Sequence, residues 1–208
     1  MKSRIWLCNF CLALSLLANA QSSSAKPDAA TKRDEILLSK FKAKGTYPII
    51  KASKFCGVMP VDGISEKPDA TMKYKLVFSF EAGTNDPEKI KIQNRGLAEI
   101  GRIINLHVAA GVPLENLEVV IVTHRKALYA LFNNEAFKKE FKIENPNLTL
   151  VHELEGAGAK FVACGQAMQF LDIDKENLSP EVKIAMAAKV ALSTYQQKGY
   201  VLYEIDED

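Results

Sequence analysis

The amino-acid sequence predicts an α/β fold in which a mainly parallel five-stranded sheet lies between two layers of helices. Short apolar segments of strand length alternate with longer segments of helical periodicity, an order typical of β-α-β units. The segment from Leu117 to Thr123 is almost continuously apolar, as expected for a strand buried on both faces of a parallel sheet. Right-handed crossovers would then place helices on both faces.

The predicted strands and helices follow one another in a regular order after Met72. The strands are predicted at Tyr74 to Phe80, Leu117 to Thr123, Lys160 to Ala163, Val182 to Ala185 and Tyr200 to Ile205. The helices are predicted at Pro87 to Ala110, Gly165 to Leu171 and Ala187 to Gln197, and from an N-cap at Asn145 to Gly156.

Three segments of different composition make up the chain. Residues 1–20 resemble a secretory signal peptide, because Lys2 and Arg4 precede a 13-residue apolar run, and Ala18-Asn19-Ala20 offers a cleavage site. Residues 21–72 are expected to form a flexible tail, with at most one helical turn, and then an extended arm rich in proline and glycine. Residues 73–208 are expected to form the α/β domain.

Charge and hydropathy exclude several classes of partner. Removal of Lys2 and Arg4 with the signal leaves 25 of the 27 basic residues against 25 acidic residues, so the mature chain is formally neutral. No basic cluster indicates a nucleic-acid surface. The 13-residue apolar run is shorter than the roughly 20 residues that span a bilayer. We therefore expect a secreted or periplasmic protein that binds neither nucleic acid nor membrane after cleavage.

Two cysteines remain once the signal peptide, with Cys8 and Cys11, is removed. A disulfide-stapled scaffold would contain more than Cys56 and Cys164, so the fold is expected to depend on packing. A disulfide between these two residues stays open as an alternative, because export would permit it.

Cys164 and His124 are the candidate catalytic residues. Cys164 directly follows a predicted strand and precedes a predicted helix, whose N-terminus would favour a thiolate. His124 ends the second predicted strand and would reach the same edge of the sheet, where it could act as a base. The alternatives are that Cys164 is an inert core residue and that His124 caps a turn.

A metal or nucleotide cofactor is not expected. The three histidines and the cysteine lack the spacing of metal ligands. Gly156-Ala157-Gly158 precedes a predicted strand, whereas the glycines of a dinucleotide-binding loop follow one.

Several short motifs occur together in the domain. They are Asn105-Leu106-His107, Val122-Thr123-His124, Asn145-Pro146-Asn147, Phe161 to Gln166 and Gln196 to Tyr200. In their order and spacing they resemble the DsrE/DsrF-like family, and the resemblance covers residues 73–208.

This resemblance implies a three-layer α/β subunit that assembles into homo-oligomers, usually trimers or hexamers. Some members relay sulfur as a cysteine persulfide, and Cys164 matches the sulfur-carrying position. We take Gly165, Gln166 and Asn105 as candidate binding residues from the same motifs. Arg125 stands where the family has a glycine, so the loop after His124 is expected to differ in charge or backbone path.

Two functions of different classes fit the sequence. In the first, Cys164 accepts sulfur from a donor and passes it to an acceptor thiol, as a sulfur carrier or sulfurtransferase does. In the second, the domain is a non-catalytic module for small-ligand binding or assembly, and Cys164 is structural. The reactivity of the thiol distinguishes them.

The mature protein is predicted to begin at Gln21. Cleavage after Ala20 follows from the small residues behind the apolar run. N-terminal sequencing of the exported protein tests this prediction, and retention of Met1 would contradict it.

Overall fold

Five parallel strands form the middle layer of the structure, a computed structural model that describes residues 29–206. The predicted signal peptide therefore lies outside the described residues. The strands are β1 Tyr74–Phe80, β2 Leu117–Thr123, β3 Lys160–Cys164, β4 Lys183–Ala185 and β5 Val201–Ile205. Their order in the sheet is β4-β3-β2-β1-β5, which leaves β4 and β5 at the edges. The predicted fold class, a parallel sheet in a three-layer α/β arrangement, is confirmed.

Helices cover both faces of this sheet. They are α1 Ala29–Lys44, α2 Arg95–Ala109, α3 Asn134–Phe141, α4 Leu148–Gly156, α5 Gly165–Phe170 and α6 Ala188–Gln197. Residues of α2, α3 and α4 join the larger core on one face, whereas α6 covers the other face and contacts every strand. Within residues 29–206, no helix is long and apolar enough to cross a membrane.

The long helix predicted from Pro87 is shorter than expected. A 3-10 turn, Lys89–Lys91, is followed by a break, and α2 begins only after Asn94. The Asn94 side chain accepts a hydrogen bond from the N–H of Leu97 at 2.9 Å and donates one to the carbonyl of Ala82 at 2.7 Å. Asn94 is therefore the N-cap, and it also ties the helix start to the chain that leaves β1.

The predicted N-cap at Asn145 is also wrong by a few residues. Helix α4 begins at Leu148. Asn145 is buried in the segment between α3 and α4. Its amide donates hydrogen bonds to the carbonyls of Ala130 and Phe132, at 3.0 and 2.7 Å. Buried carbonyls need such partners, so Asn145 fixes a loop and not a helix end.

Helix α1 corrects the expectation of at most one helical turn before Lys44. It contains 16 residues. Phe41 anchors it, because this side chain is buried against Gly57, where a Cβ atom would lie 2.7 Å from the Phe41 ring. Asp34 and Arg95 add an ion pair at 3.0 Å. The amino-acid composition did not predict this helix, because the Phe41 contact and one ion pair, and not a broad apolar face, fix it to the domain.

The arm after α1 is built into the larger core. Ile50 and Cys56 are fully buried. Asn105 on α2, itself fully buried, accepts hydrogen bonds from the N–H groups of Ile49 and Ile50 and donates to the carbonyls of Ile50 and Cys56, at 2.8 to 3.0 Å. The carboxylate of Glu153 accepts two further N–H groups of the arm at 2.6 Å.

We predict that Asn105→Leu strongly destabilises the fold. The change leaves buried N–H and C=O groups of the arm unpaired, at about 1–3 kcal/mol each, so the free energy of unfolding should fall by at least about 3 kcal/mol. Chemical denaturation measures it. Asn116→Leu is the matched control, since it removes one exposed hydrogen bond, to Ala70, and should cost no more than about 1 kcal/mol. Equal losses in both variants would contradict the prediction.

Candidate functional site at the carboxyl ends of β2 and β3

Cys164 lies where two helices begin. It is the last residue of β3 and the N-cap of α5. Its Sγ accepts a hydrogen bond from the N–H of Ala167 in α5 at 3.4 Å and another from the N–H of Ala188, the first residue of α6, at 3.2 Å. The partial positive charges of two helix starts therefore face one sulfur.

The residues after Cys164 bring the edge strand close to this sulfur. A Cβ atom on Gly165 would lie 2.8 Å from the carbonyl oxygen of Ala185, so only glycine permits the observed approach of β4. The N–H of Gln166 donates to the carbonyl of Met186 at 3.2 Å. Two of the three predicted binding residues, Gly165 and Gln166, thus lie beside Cys164, and the Gln166 backbone joins α5 to the chain that follows β4.

His124 occupies the position next to Cys164 on the neighbouring strand. The register pairs Thr123 of β2 with Ala163 of β3, and the next residues are His124 and Cys164. The N–H of His124 donates to the carbonyl of Phe80 at 3.0 Å, which extends the ladder by one residue. The sheet therefore places both candidate catalytic residues at its carboxyl edge, on neighbouring strands.

The ring of His124 faces β1. Its Nε2 is 3.0 Å from the Ser79 hydroxyl, and its Nδ1 is 4.0 Å from a carboxylate oxygen of Glu81. Among the residues that the structure describes, no hydrogen bond joins His124 to Cys164. Burial lowers the pKa of His124, as does the charge of Arg125, while the Glu81 carboxylate opposes them. The imidazole is therefore held as a neutral base.

Arg125 keeps a glycine-like backbone at a position where the family has glycine. Its φ of 54° lies in the left-handed region, which costs a side-chain-bearing residue about 1–2 kcal/mol. Its guanidinium contacts the Glu81 carboxylate at 2.9 Å and is mostly exposed. The backbone of Arg125 thus follows a path that glycine would adopt, and its guanidinium adds a positive charge at the rim of the site.

Asn105 does not belong to this site. It lies in the larger core, on the face of the sheet opposite to the Cys164 side chain, and both atoms of its amide are engaged by the arm. The expected binding role is therefore replaced by a structural one. The sequence analysis did not identify Ser79 and Glu81. Their only signal is that they are polar and flank Phe80 at the end of an apolar strand.

The two cysteines lie on opposite faces of the sheet and differ in the direction of their hydrogen bonds. Both are free, so the structure contains no disulfide between them. Cys56 is 0% exposed and its thiol donates to the carbonyl of Ala98 at 3.2 Å. Burial raises the pKa of Cys56 to about 12, and the nearby Glu153 carboxylate adds to this effect. Cys164, at 6% exposure, lies on the other face of the sheet and accepts hydrogen bonds.

The acidic, histidine and cysteine side chains of residues 29–206 include no group of three that could hold a metal ion.

We predict that Gly165→Ala destabilises the edge of the sheet beside Cys164. The added methyl group must displace the backbone of β4, which should lower the free energy of unfolding by about 1–3 kcal/mol. Gly156→Ala, at the end of α4, is the control, because a Cβ atom there meets nothing within 4 Å. Thermal or chemical denaturation compares the two variants. A Gly165→Ala protein as stable as the control would show that β4 moves freely.

Comparisons with known proteins identify the family of the chain. None of the curated proteins matches the chain. Among solved structures, the chain is similar to a protein of unknown function from Methanobacterium thermoautotrophicum, with 20% identity and a TM-score of 0.47 over 63% of this chain and 98% of that one. The family model described as the DsrE/DsrF-like family matches residues 89–203, which include β2, β3 and both candidate catalytic residues. The chain therefore belongs to the DsrE/DsrF-like family.

Proposed function

We propose that this protein is a sulfur carrier in which Cys164 holds a sulfane sulfur as a persulfide. The observation that carries the proposal is the pair of backbone N–H groups, from Ala167 and Ala188, that converge on one sulfur at the end of β3. Hydrogen bonds that a sulfur accepts stabilise its anionic, nucleophilic form. The family supports the same function, since Cys164 matches the position at which some members carry sulfur.

The loading step is a nucleophilic displacement. The thiolate of Cys164 attacks a sulfane sulfur of the donor, and a new S–S bond forms while the S–S bond of the donor breaks. The electron pair of the broken bond leaves with the shortened donor. In the release step, an acceptor thiol attacks the outer sulfur, and the S–S bond to Cys164 breaks. Neither step therefore needs an external oxidant or reductant.

A second candidate function rests on the same hydrogen bonds. Cys164 is only 6% exposed, and its sulfur caps α5 in the way that a serine or aspartate oxygen does. In this case the thiol would join two helices to the sheet and carry no sulfur. Thiol reactivity separates the two functions, because a buried structural cap reacts slowly.

We expect the native protein to take up sulfur on Cys164 alone. Exposure to inorganic polysulfide should add about 32 Da per sulfur to the wild type and to Cys56→Ser, and nothing to Cys164→Ser. Intact mass before and after treatment with a reductant measures the uptake. Cys56 should not react, because its pKa of about 12 leaves it protonated at neutral pH.

The outcomes distinguish the two candidates. Uptake that is lost in Cys164→Ser and kept in Cys56→Ser supports the carrier. A wild type that gains no mass, yet is destabilised by Cys164→Ala, indicates the structural cap.

We also propose that the protein forms homo-oligomers through the surface around Cys164. Four apolar side chains on α5, α6 and the edge strand region are exposed: Phe170 at 85%, Met186 at 74%, Val190 at 55% and Ile184 at 45%. Exposed apolar side chains of this size commonly mark interaction surfaces on a folded protein. In the proposed oligomer they would form the apolar patch at the centre of an interface, which in a stable complex buries about 800 Å² on each partner.

Light scattering tests the association. We expect the wild type to be larger than a monomer at micromolar concentration, and Met186→Asp to lower its mass by placing a charge within the patch. Ile92→Asp is the control, since Ile92 is 63% exposed but lies next to α2 and away from β4. A monomeric wild type would contradict the proposal.

We further propose that the protein acts outside the cytoplasm. The support is the sequence of residues 1–20 alone, with its basic start, apolar run and small residues before Gln21. An exported carrier would meet donors and acceptors of that compartment.

A further inference from the structure

Four polar groups meet at the carboxyl edge of β1 and β2, and two of them, Ser79 and Glu81, were not expected. His124 lies between Ser79 on the neighbouring strand β1 and Glu81 directly after it, and Arg125 contacts Glu81 from the exposed side. Cys164 follows at the next strand. The titratable and charged groups around the imidazole are therefore Glu81 at the end of β1, Arg125 in the turn after β2 and Cys164 at the end of β3.

We propose that Glu81 is a positioning residue which, with Ser79, orients the His124 imidazole as proton acceptor for a thiol that attacks sulfur carried on Cys164. The inference rests on the proposed carrier function and adds the groups that handle the proton.

The orientation follows from the chemistry of the two neighbours. The Glu81 carboxylate lies 4.0 Å from Nδ1, beyond hydrogen-bond distance, but its negative charge favours the tautomer with the proton on that nitrogen. The Nε2 lone pair then remains free to accept, and the Ser79 hydroxyl donates to it at 3.0 Å. Ser79 thus occupies the basic nitrogen of the resting protein until another donor replaces it.

The transfer step is balanced without a further reactant. The incoming thiol displaces the Ser79 hydroxyl from Nε2 and gives its proton to His124. Its sulfur attacks the outer, protonated sulfur of the persulfide, and the S–S bond to Cys164 breaks. The electron pair stays on the Cys164 sulfur, whose negative charge is stabilised by the two N–H groups. This sulfur then takes the proton back from His124. The acceptor leaves as a persulfide.

Two substitutions should shift the pH dependence of this step in opposite directions. Glu81→Gln removes the charge that raises the pKa of His124, and Arg125→Gln removes a charge that lowers it. Both break the same ion pair, so each is the structural control for the other.

The test loads the full chain with inorganic polysulfide and follows transfer to 2-mercaptoethanol by mass between pH 5 and 8. In the wild type the rate should fall as the pH drops through the pKa of His124, because protonated imidazole accepts no proton. Glu81→Gln should slow transfer at pH 7 by at least about tenfold and move the acid limb to lower pH. Arg125→Gln should move the limb to higher pH and keep the wild-type rate at pH 8.

If Glu81 has a purely structural role, the acid limb of the rate profile should lie at the wild-type pH in Glu81→Gln and in Arg125→Gln. That result would overturn the proposal. Titration of His124 by NMR in the unloaded proteins provides a second readout that needs no sulfur chemistry. The midpoint should fall in Glu81→Gln and rise in Arg125→Gln, and unchanged midpoints would also overturn it. A wild type that takes up no sulfur, with shifted midpoints, refutes the carrier function and the transfer role, but leaves the Glu81 contact to His124 established.

Discussion

The parallel ladder from β1 through β2 to β3 is the constraint on which the candidate site depends. Because all strands run in one direction, their carboxyl ends meet at one edge, and residues paired in register point to the same face. Ser79, His124 and Cys164 come from segments far apart in sequence, yet the ladder brings them to that edge. A slip of one residue in β3 would turn the Cys164 side chain to the opposite face and separate it from α6.

Most of the fold was predictable because parallel strands buried on both faces leave a strong sequence signal. The five strands lie within a residue or two of their predicted bounds, since apolar runs and flanking glycines define them locally. The errors occur where side chains act over long range. Asn94 determines the start of α2 through a bond to the carbonyl of Ala82, and Asn145 fixes a loop through bonds to carbonyls 13 and 15 residues before it. Helix α1 depends on the Phe41 contact and on the ion pair between Asp34 and Arg95. No local pattern contains that information.

The candidate site was predictable in part for the same reason. A cysteine between a strand and a helix could be placed from sequence, but the second N–H on its sulfur could not, because Ala188 approaches it from a helix 24 residues further along. Asn105 was expected at the site from its motif alone, but its amide bonds to the arm in the larger core. Ser79 and Glu81 are ordinary polar residues, and only the register of β1 with β2 brings them to His124.

Cys56 and Cys164 show how one fold can seal one thiol and leave another beside hydrogen-bond donors. Both sulfurs are within hydrogen-bond distance of backbone groups, but Cys56 donates to a carbonyl on α2, whereas Cys164 accepts from two N–H groups. A carbonyl oxygen and the Glu153 carboxylate both repel negative charge on sulfur, and N–H groups attract it. Exposure adds to this contrast, since Cys56 is sealed beneath the arm that Asn105 fixes. The arm thus buries one thiol from the other side of the sheet, and in the proposed carrier this would leave Cys164 as the sulfur on which a donor acts.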